Sequence, residues 1–302
     1  MKLVAVGGGH GTAVSLRALR RLSPDVTGVV SVADDGGSTG RLRALLNVAA
    51  VGDLRKCLGA LADPQNPLTA SLEHRFDVGE LAGHAVGNLL LVGLLDATGN
   101  LEESVRAVAQ VLGVTGAIVP ASCEGVVLTA TTEEGSSRGQ SEVARSSTIR
   151  RLHLEPVNAA APIEAVETIE RADAVLIGPG SLFTSVLAAC IVPGITQALA
   201  GTSATKIYVA NLRPQTPETV DFRLQDHVDA LLRHGVSPDV VLVDASSLFA
   251  HQPCSVPTRI VPLTSHNRLV HDVAKLSDAV REELERRRGT TSRRAREHTG
   301  SH

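Results

Sequence analysis

Apolar residues near the start of the chain alternate between short continuous runs and helical spacing. The runs cover 3–6 and 29–32, and each ends in a glycine-rich turn. After the first turn, apolar positions recur at helical spacing at Val14, Leu16, Leu19 and Leu22. A short apolar run bounded by turn residues predicts a buried strand, and the helical spacing predicts an amphipathic helix from about residue 12.

The same alternation continues along the chain and predicts an α/β fold. Helices are predicted over 83–96, 101–112, 162–171, 224–234 and 268–288. Strands are predicted over 116–121, 125–132, 148–154, 174–177, 206–210, 240–244 and 259–261. This order favours a mainly parallel sheet flanked by helices. Between about 114 and 156 no helix is predicted between the strands, so we expect a small, β-rich antiparallel excursion within a single domain over 1–285.

Composition restricts the class of protein. The chain has 302 residues, of which 43% are hydrophobic and 20% charged, and its formal net charge is −3. This is typical of a soluble globular protein, and no apolar run reaches the ~18 residues of a membrane span. The chain opens directly into the first strand without room for a signal peptide, so we expect a cytoplasmic protein. Scarce aromatic residues and near-neutral charge argue against nucleic-acid binding by the main domain.

The turn after the first strand carries the clearest candidate chemistry. It reads Gly7-Gly8-Gly9-His10-Gly11-Thr12. Glycines allow the backbone to approach a ligand closely, and the free N–H groups of the next helix can then bind phosphate oxygens. The spacing differs from the G-x-G-x-x-G dinucleotide motif, because Thr12 stands where the third glycine belongs.

A second glycine-rich turn contains two adjacent carboxylates. Asp34 and Asp35 precede Gly36, Gly37 and Ser38 after the second strand. Ligands of open α/β sheets bind at the carboxyl ends of the strands, so these carboxylates could bind ribose hydroxyls or a metal-bound water. The turn lacks the Gly-Lys-Ser/Thr of a P-loop. The structural alternative is two tight turns, with Asp35 capping a helix.

Four polar residues further along are candidates for the same site. Asp53 is expected at or near a helix N-cap and Arg55 one turn inside, where the cation could meet a ligand phosphate. His84 and Asn88 are four residues apart and share one helix face. The structural alternatives are capping with solvated cations, and a satisfied core contact. The irregular stretch over 63–83 is typical of a binding loop or lid.

A third strand, glycine turn and helix occurs at Gly178-Pro179-Gly180-Ser181. Pro179 stiffens the turn, the glycines admit a close ligand, and Ser181 is a good N-cap. Three such turns at the carboxyl ends of strands favour a ligand that carries phosphate.

The chain ends in a basic segment over 286–302, which we predict to be a disordered tail. Thr290, Thr291 and Ser292 lie between arginines that would pair with an added phosphate. A regulatory kinase is therefore a candidate partner at the tail, and docking to an anionic partner is an alternative.

Together these motifs resemble one family, the gluconeogenesis factors (YvcK-like), which are related to the 2-phospho-L-lactate transferases (CofD-like). The similarity extends from Val4 to about Asp244. Its motifs are GGGHG at 7–11, VADDGGSTGRLR at 32–43, GDLRKCLGALAD at 52–63, GHAVGNLLL at 83–91, GPGSLFTS at 178–185 and NLRPQTPET at 211–219. The second and third motifs resemble the YvcK-like branch more than the transferase branch.

Two loops depart from the family pattern. His10 stands where many relatives carry Thr. Arg213-Pro214 and Thr216-Pro217 stand where relatives commonly have Met-Thr and Pro-Gly.

The resemblance implies a Rossmann-like fold that binds a nucleotide. For the YvcK-like branch it implies a regulatory protein that binds a UDP-sugar such as UDP-N-acetylglucosamine. Its role would be in cell shape (morphogenesis) and envelope synthesis under gluconeogenic growth, without a settled catalytic activity. For the transferase branch it implies transfer of a phospholactyl group from a guanine-nucleotide donor to a deazaflavin alcohol, with Mg²⁺. We also expect a homodimer.

The first hypothesis assigns the glycines of the first and third turns, with Ser181, to the diphosphate. It assigns Asp34 or Asp35 to ribose hydroxyls or a metal-bound water, and Arg55 to phosphate charge. His84 and Asn88 would contact the sugar or base. The complete predicted ligand-binding set is Gly7, Gly8, Gly9, His10, Gly11, Thr12, Asp34, Asp35, Gly36, Ser38, Asp53, Arg55, His84, Asn88, Gly178, Pro179, Gly180, Ser181 and Asn211. Under the transferase hypothesis, Asp34, Asp35 and Asp53 hold Mg²⁺. A nicotinamide-dependent oxidoreductase is a third alternative, with the wrong glycine spacing and no evident proton-relay motif.

Overall fold

A parallel sheet of seven strands forms the centre of the structure, and a three-stranded antiparallel sheet lies beside it. The computed structural model describes residues 1–46, 48–266 and 270–299, without the side chains of 44 and 290–299. The strands are β1 (Leu3–Gly7), β2 (Val26–Val30), β3 (Ala117–Pro120), β4 (Val127–Thr132), β5 (Ser136–Arg138), β6 (Ile149–Glu155), β7 (Ala174–Ile177), β8 (Thr205–Val209), β9 (Val240–Asp244) and β10 (Thr258–Val261). The predicted α/β class is confirmed.

Helices connect the strands and cover the parallel sheet. They are α1 (Gly9–Arg20), α2 (Gly37–Leu46), α3 (Gly52–Leu61), α4 (Pro67–Ser71), α5 (Val86–Thr98), α6 (Leu101–Val111), α7 (Gln140–Val143), α8 (Ile163–Glu170), a π-helix (Leu182–Leu187), α9 (Ala188–Cys190), α10 (Pro193–Gly201), α11 (Leu224–Arg233) and α12 (Val273–Thr299). Among the described residues, no single helix combines the length and apolar composition needed to cross a membrane, although one pair bent by 78° (Leu182–Cys190 with Pro193–Gly201) meets that test when joined.

Two predicted helix boundaries differ from the structure. α1 begins at Gly9 rather than near residue 12, because the glycine turn itself forms the first helical turn. The last helix begins at Val273 and continues to Thr299, whereas its predicted range was 268–288. The described backbone of the predicted basic tail therefore continues this helix, while 300–302, like the predicted helix start at 268, lie outside the described residues. The side chains of the predicted phosphorylation sites at 290–292 also lie outside them.

The strand order creates a crevice between the first and third glycine turns. The order is β10-β9-β8-β7-β1-β2-β3, so the chain moves one way from β1 and the opposite way from β7. Along the chain, the first six strands of this sheet are β1, β2, β3, β7, β8 and β9, and they lie side by side in the order β3-β2-β1-β7-β8-β9. This is the Rossmann order, which confirms the predicted fold. Gly7 ends β1, and its carbonyl accepts from the Ser31 N–H at 2.8 Å, so Gly7 belongs to the sheet. Ligands bind at such a switch point.

The antiparallel excursion is smaller than predicted. Its sheet has the order β5-β4-β6, whereas β3 pairs with β2 in parallel and extends the main sheet. The sequence grouped β3 with the excursion because no helix follows it, but its direction is set by the helices that precede it. The excursion also contains α7, a helix of four residues that is too short to show periodicity.

Two neutral histidines are buried in the part of the fold that carries the last strands. His227 Nδ1 lies 3.2 Å from the Tyr208 hydroxyl, and its ring packs edge-on against Phe222 and Phe249. His271 Nε2 lies 3.2 Å from the Ala210 carbonyl oxygen at the end of β8. Burial is the main cause that lowers the pKa of each histidine from 6.5 to about 4.

We predict that the protein loses stability as pH falls through the range set by these histidines. Both pKa values are lower in the folded state. The stability that the two neutral histidines contribute is therefore fully present above the unfolded pKa of 6.5 and is lost as pH falls toward about 4. Each histidine should lower the free energy of unfolding by roughly 2 kcal/mol between about pH 7.5 and about pH 5. Denaturant unfolding at several pH values measures this slope. His227→Asn should flatten it, and His251→Gln, at an exposed histidine, should not.

Candidate functional site

The first glycine turn places three backbone N–H groups at a helix end. Gly8 is the N-cap of α1, and its carbonyl accepts the first helical hydrogen bond from the Thr12 N–H at 3.5 Å. The N–H groups of Gly9, His10 and Gly11 precede that bond and can bind an anion. Thr12 is buried, and its hydroxyl donates to the Gly8 carbonyl at 3.1 Å, so it stabilises the turn rather than facing a ligand.

Neighbouring elements approach this turn closely: Gly11 has no room for a side chain, and a side chain at Gly8 would displace that of Asp53. A Cβ on Gly8 would lie 2.5 Å from Asp53 Oδ2, in the first turn of α3. A Cβ on Gly11 would overlap the Pro179 carbonyl oxygen of the third glycine turn. Glycine is the residue that permits such close backbone approach. The first turn is therefore where α3 and the third turn meet.

The second glycine turn contributes a half-buried carboxylate. Asp34 Oδ1 accepts from the Gly36 N–H at 3.0 Å, and its other oxygen lies beside Gly52 at the start of α3. Burial, and then the charge of Asp53, raise the pKa of Asp34. Asp53 itself pairs with Lys56, with 3.0 Å between Oδ1 and Nζ. The two predicted carboxylates Asp34 and Asp53 are thus electrostatic neighbours.

Three further predicted residues form one hydrogen-bonded group. Ser38 Oγ lies 3.1 Å from His84 Nδ1, and Asn88 Nδ2 donates to Ser38 Oγ at 3.2 Å. Burial is the main cause that lowers the pKa of His84. α5 begins only at Val86, so His84 precedes the helix that it was predicted to share with Asn88. The two side chains nevertheless meet, through Ser38.

A cleft of about 570 Å³ opens between the second glycine turn, the first turn of α3 and the segment 75–88, and we call it the first cleft. Four cations line it, against the single carboxylate of Asp34: Arg41, Arg55, Lys56 and Arg75. Residues of the first turns of α2 and α3 also line it, from Gly37 to Thr39 and at Gly52. Helix N-termini attract anions, so both the charges and the backbone favour an anionic ligand here.

Arg55 is the most unusual residue of the first cleft. Its side chain is only 2% exposed, and its Nη2 pairs with Glu73 Oε2 at 3.2 Å. Its Nε and Nη1 are buried without a hydrogen-bond partner among the described residues, as is Asn88 Oδ1. Burial lowers the pKa of Arg55, and Glu73 opposes this effect, but a guanidinium stays charged in proteins. Buried charged donors without partners are costly, so Arg55 is a candidate to bind an anionic group.

Asp35, in contrast, forms hydrogen bonds with the excursion. Its Oδ1 accepts from the Ser141 N–H at 2.8 Å and from the Ser141 hydroxyl at 2.6 Å. Ser141 lies in the first turn of α7, so Asp35 stabilises a helix N-terminus, though not that of its own turn. The ribose or metal role predicted for Asp35 has a competing structural explanation. The signal was invisible in sequence because the two residues are 106 positions apart.

A second cleft, of about 580 Å³, lies on the other side of the α1 N-terminus. It is lined by His10, Gly11, Val14, Pro179, Gly180, 211–216, Val270 and His271. His10 and three of the four residues of the second departure, Arg213, Pro214 and Thr216, therefore line one cleft. Partial desolvation, and then the charge of Lys56, lower the pKa of His10, which lines the second cleft.

The N–H groups of the third glycine turn are occupied by side chains of the loop after β8. The Glu218 carboxylate accepts from the Phe183 N–H at 2.6 Å and from the Thr184 N–H at 3.3 Å, in the first turn of the π-helix. The Gly180 N–H donates to Asn211 Oδ1 at 3.2 Å. An internal carboxylate therefore takes the helix N-terminus where we predicted a phosphate.

The remaining residues of the third turn are also held by protein partners. Ser15 Oγ donates to the Gly178 carbonyl at 2.6 Å, which ties the turn to α1. Ser181 occupies the predicted N-cap position, but its side chain makes no capping bond and instead accepts from Gln215 Nε2 at 3.1 Å. Glu218 supplies the cap from 34 and 35 positions away, so no local pattern could have revealed it.

The predicted metal-binding carboxylates do not converge. Within the described ranges, no group of three or more His, Cys, Asp or Glu side chains could hold a metal ion. Asp35 bonds to Ser141, whereas Asp34 and Asp53 remain close to each other beside the first cleft. Any Mg²⁺ held here would depend on these two carboxylates together with oxygens of a ligand.

Comparison with known proteins places these features in a family. The sequence profile described as 2-phospho-L-lactate transferase CofD matches residues 3–282. A gluconeogenesis factor from Halalkalibacterium halodurans is 38% identical over 246 residues, which are 80% of this chain and 76% of that protein. A crystal structure of a UPF0052 family member from Bacillus halodurans superposes with a TM-score of 0.86 at 34% identity, covering 92% of this chain and 98% of the other.

Two longer relatives carry the name gluconeogenesis factor provisionally. The protein from Clostridium acetobutylicum is 40% identical over 251 residues, and that from Deinococcus radiodurans is 42% identical over 254 residues. These matches cover 80% and 82% of this chain but 56% and 54% of the relatives. The chain therefore spans about half the length of these two relatives.

We predict that Asp35→Asn mainly loosens the excursion. The substitution removes the charge that accepts two hydrogen bonds from Ser141, and charge-assisted bonds of this kind contribute about 1.5–3 kcal/mol. Thermal unfolding and limited proteolysis of the excursion measure the effect. A double-mutant cycle with Ser141→Ala should show a coupling energy of at least about 0.5 kcal/mol. Additive single effects would contradict the assignment.

Proposed function

The chain belongs to the family described as 2-phospho-L-lactate transferase CofD, and from that membership we propose that it binds a UDP-sugar and acts as a regulatory protein of gluconeogenic growth. The relatives named gluconeogenesis factor support the regulatory role. UDP-N-acetylglucosamine is the proposed ligand. The proposed role is in cell shape and envelope synthesis under gluconeogenic growth, and the proposed location is the cytoplasm.

The buried guanidinium of Arg55 is the observation that carries this proposal. It offers Nε and Nη1 without protein partners, in a cleft with three further cations and the N-termini of α2 and α3. Planar guanidinium forks bind phosphate oxygens in a bidentate manner. A diphosphate supplies enough oxygens for Arg55, Lys56 and the first-turn N–H groups together. We therefore assign the diphosphate to the first cleft.

The second cleft is assigned to the nucleoside. The N–H groups of Gly180 and Phe183, at the third glycine turn and the helix after it, already donate to Asn211 and Glu218. This cleft is therefore a poor phosphate site. Its lining combines the apolar Val14 and Leu212 with polar groups at Gln215. Ligand sites of this kind hold a base by apolar contact and a few placed hydrogen bonds. A ligand that occupies both clefts would then pass the N-terminus of α1 beside His10.

We predict that Arg55→Met weakens UDP-N-acetylglucosamine binding at least about tenfold, since charge-assisted hydrogen bonds to phosphate contribute about 1.5–3 kcal/mol. Methionine retains the apolar stem that packs against Gly87. Calorimetric titration measures the affinity, and thermal unfolding confirms that the variant is folded. The matched control is Arg106→Met, whose side chain is 67% exposed and lies outside the first cleft. Equal affinity of the two variants would remove Arg55 from the site.

The family description favours one alternative, a phospholactyl transferase that acts on a deazaflavin with a guanine-nucleotide donor. Asp34 and Asp53 lie beside the first cleft, and Mg²⁺ is commonly held by one or two carboxylates plus substrate phosphates. The metal would neutralise phosphate charge, and the residues of the first cleft would position the donor. Mg²⁺-dependent preference for GDP over the UDP-sugar, with turnover of a deazaflavin acceptor, would establish this alternative. Binding of the UDP-sugar, with no turnover of the deazaflavin acceptor, would exclude this alternative.

A further inference from the structure

The salt bridge of Arg55 joins two side chains of very different exposure. Arg55 is 2% exposed and Glu73 is 55% exposed, and a single pair of atoms connects them, Nη2 and Oε2. Exposed carboxylates gain little from ion pairs, about 1 kcal/mol at most, because water and salt screen them. Glu73 can therefore leave Arg55 at small cost to itself, provided that another anion takes its place.

We propose that Glu73 occupies the position of a ligand phosphate on Arg55 and is exchanged for it, so that Glu73 determines which anions the first cleft accepts. This inference rests on the proposed function, because it assigns the diphosphate to that cleft. An incoming anion must bind Arg55 better than a carboxylate of the chain itself. Glu73 is thereby a specificity-determining residue of the site.

The ion-pair geometry shows why phosphate can displace the carboxylate. Glu73 is paired with Nη2, while Nε and Nη1 are buried without hydrogen-bond partners among the described residues. A phosphate group carries more acceptor oxygens and more charge, so it can satisfy the guanidinium in a bidentate manner while also facing Lys56. A small singly charged anion offers no such advantage over Glu73. The exchange therefore selects for phosphate and diphosphate.

The backbone around Glu73 is held independently of the salt bridge. The preceding residue, Leu72, is buried, and the Val86 N–H donates to the His74 carbonyl at 2.9 Å. Arg75 Nη1 donates to the Gly83 carbonyl at 2.8 Å. These contacts keep residues 72–86 in place when the Glu73 side chain moves. The exchange thus requires a side-chain rotation and no unfolding of the segment.

Glu73→Gln tests the exchange, because the amide keeps the shape and one acceptor but removes the competing charge. We expect the variant to bind inorganic pyrophosphate and UDP-N-acetylglucosamine roughly threefold to tenfold more tightly than the wild type in calorimetric titrations. Glu80→Gln is the matched control, since Glu80 is an exposed carboxylate of the same segment and, unlike Glu73, is not paired with Arg55 in the described part of the chain. It should leave both affinities unchanged. Thermal unfolding of each variant reports whether the fold is intact, and Glu73→Asp, whose shorter side chain reaches Arg55 less well, should shift affinity in the same direction.

The outcomes separate this inference from the proposed function. Tighter pyrophosphate binding by Glu73→Gln, without UDP-sugar binding by any variant, supports the exchange and rejects the UDP-sugar as ligand. UDP-sugar binding that Glu73→Gln leaves unchanged or weakens, relative to Glu80→Gln, overturns the exchange and retains the proposed function. Absence of binding of either probe to every variant rejects both.

Discussion

The site depends on the close packing of the α1 N-terminus against two other elements. A Cβ at Gly11 would overlap the Pro179 carbonyl oxygen on one side, and a Cβ at Gly8 would displace the Asp53 side chain of α3 on the other. These contacts bring α3, which follows β2, and the third turn, which follows β7, to the two flanks of one helix end. The strand order makes this possible, since β1 lies between β2 and β7. Both clefts exist because that junction is tight.

The chain distributes negative charge around its helix N-termini in two different ways. At the π-helix, Glu218 satisfies the first-turn N–H groups from within and closes that end to external anions. At α2 and α3, the first turns line an open cleft that is rich in cations. The same local physics therefore gives a structural cap in one place and a candidate ligand site in another. What distinguishes them is whether a distant carboxylate reaches the helix end.

Much of this arrangement could be predicted from the sequence, and the failures have a common cause. Apolar runs and glycine turns are local signals, so the parallel sheet, the three turns and the proximity of His84 to Asn88 were accessible. The partners of those groups were not, because Glu73, Ser141 and Glu218 act across the fold and sit in stretches without periodicity. The direction of β3 was missed for the same reason, since a strand's neighbours depend on the path of the chain and not on its own residues.

The bond between Asp35 and Ser141 connects the second glycine turn to the excursion. Asp35 is the direct neighbour of Asp34, so a displacement of this turn would act on α7 through a charged hydrogen bond. Any such coupling is reciprocal: if an anion in the first cleft shifts the turn, then a molecule that binds the three-stranded sheet and shifts Ser141 changes the affinity for that anion, and the anion changes the affinity for that molecule by the same factor. The excursion would then contribute to the binding equilibrium of the first cleft, although its residues line neither cleft.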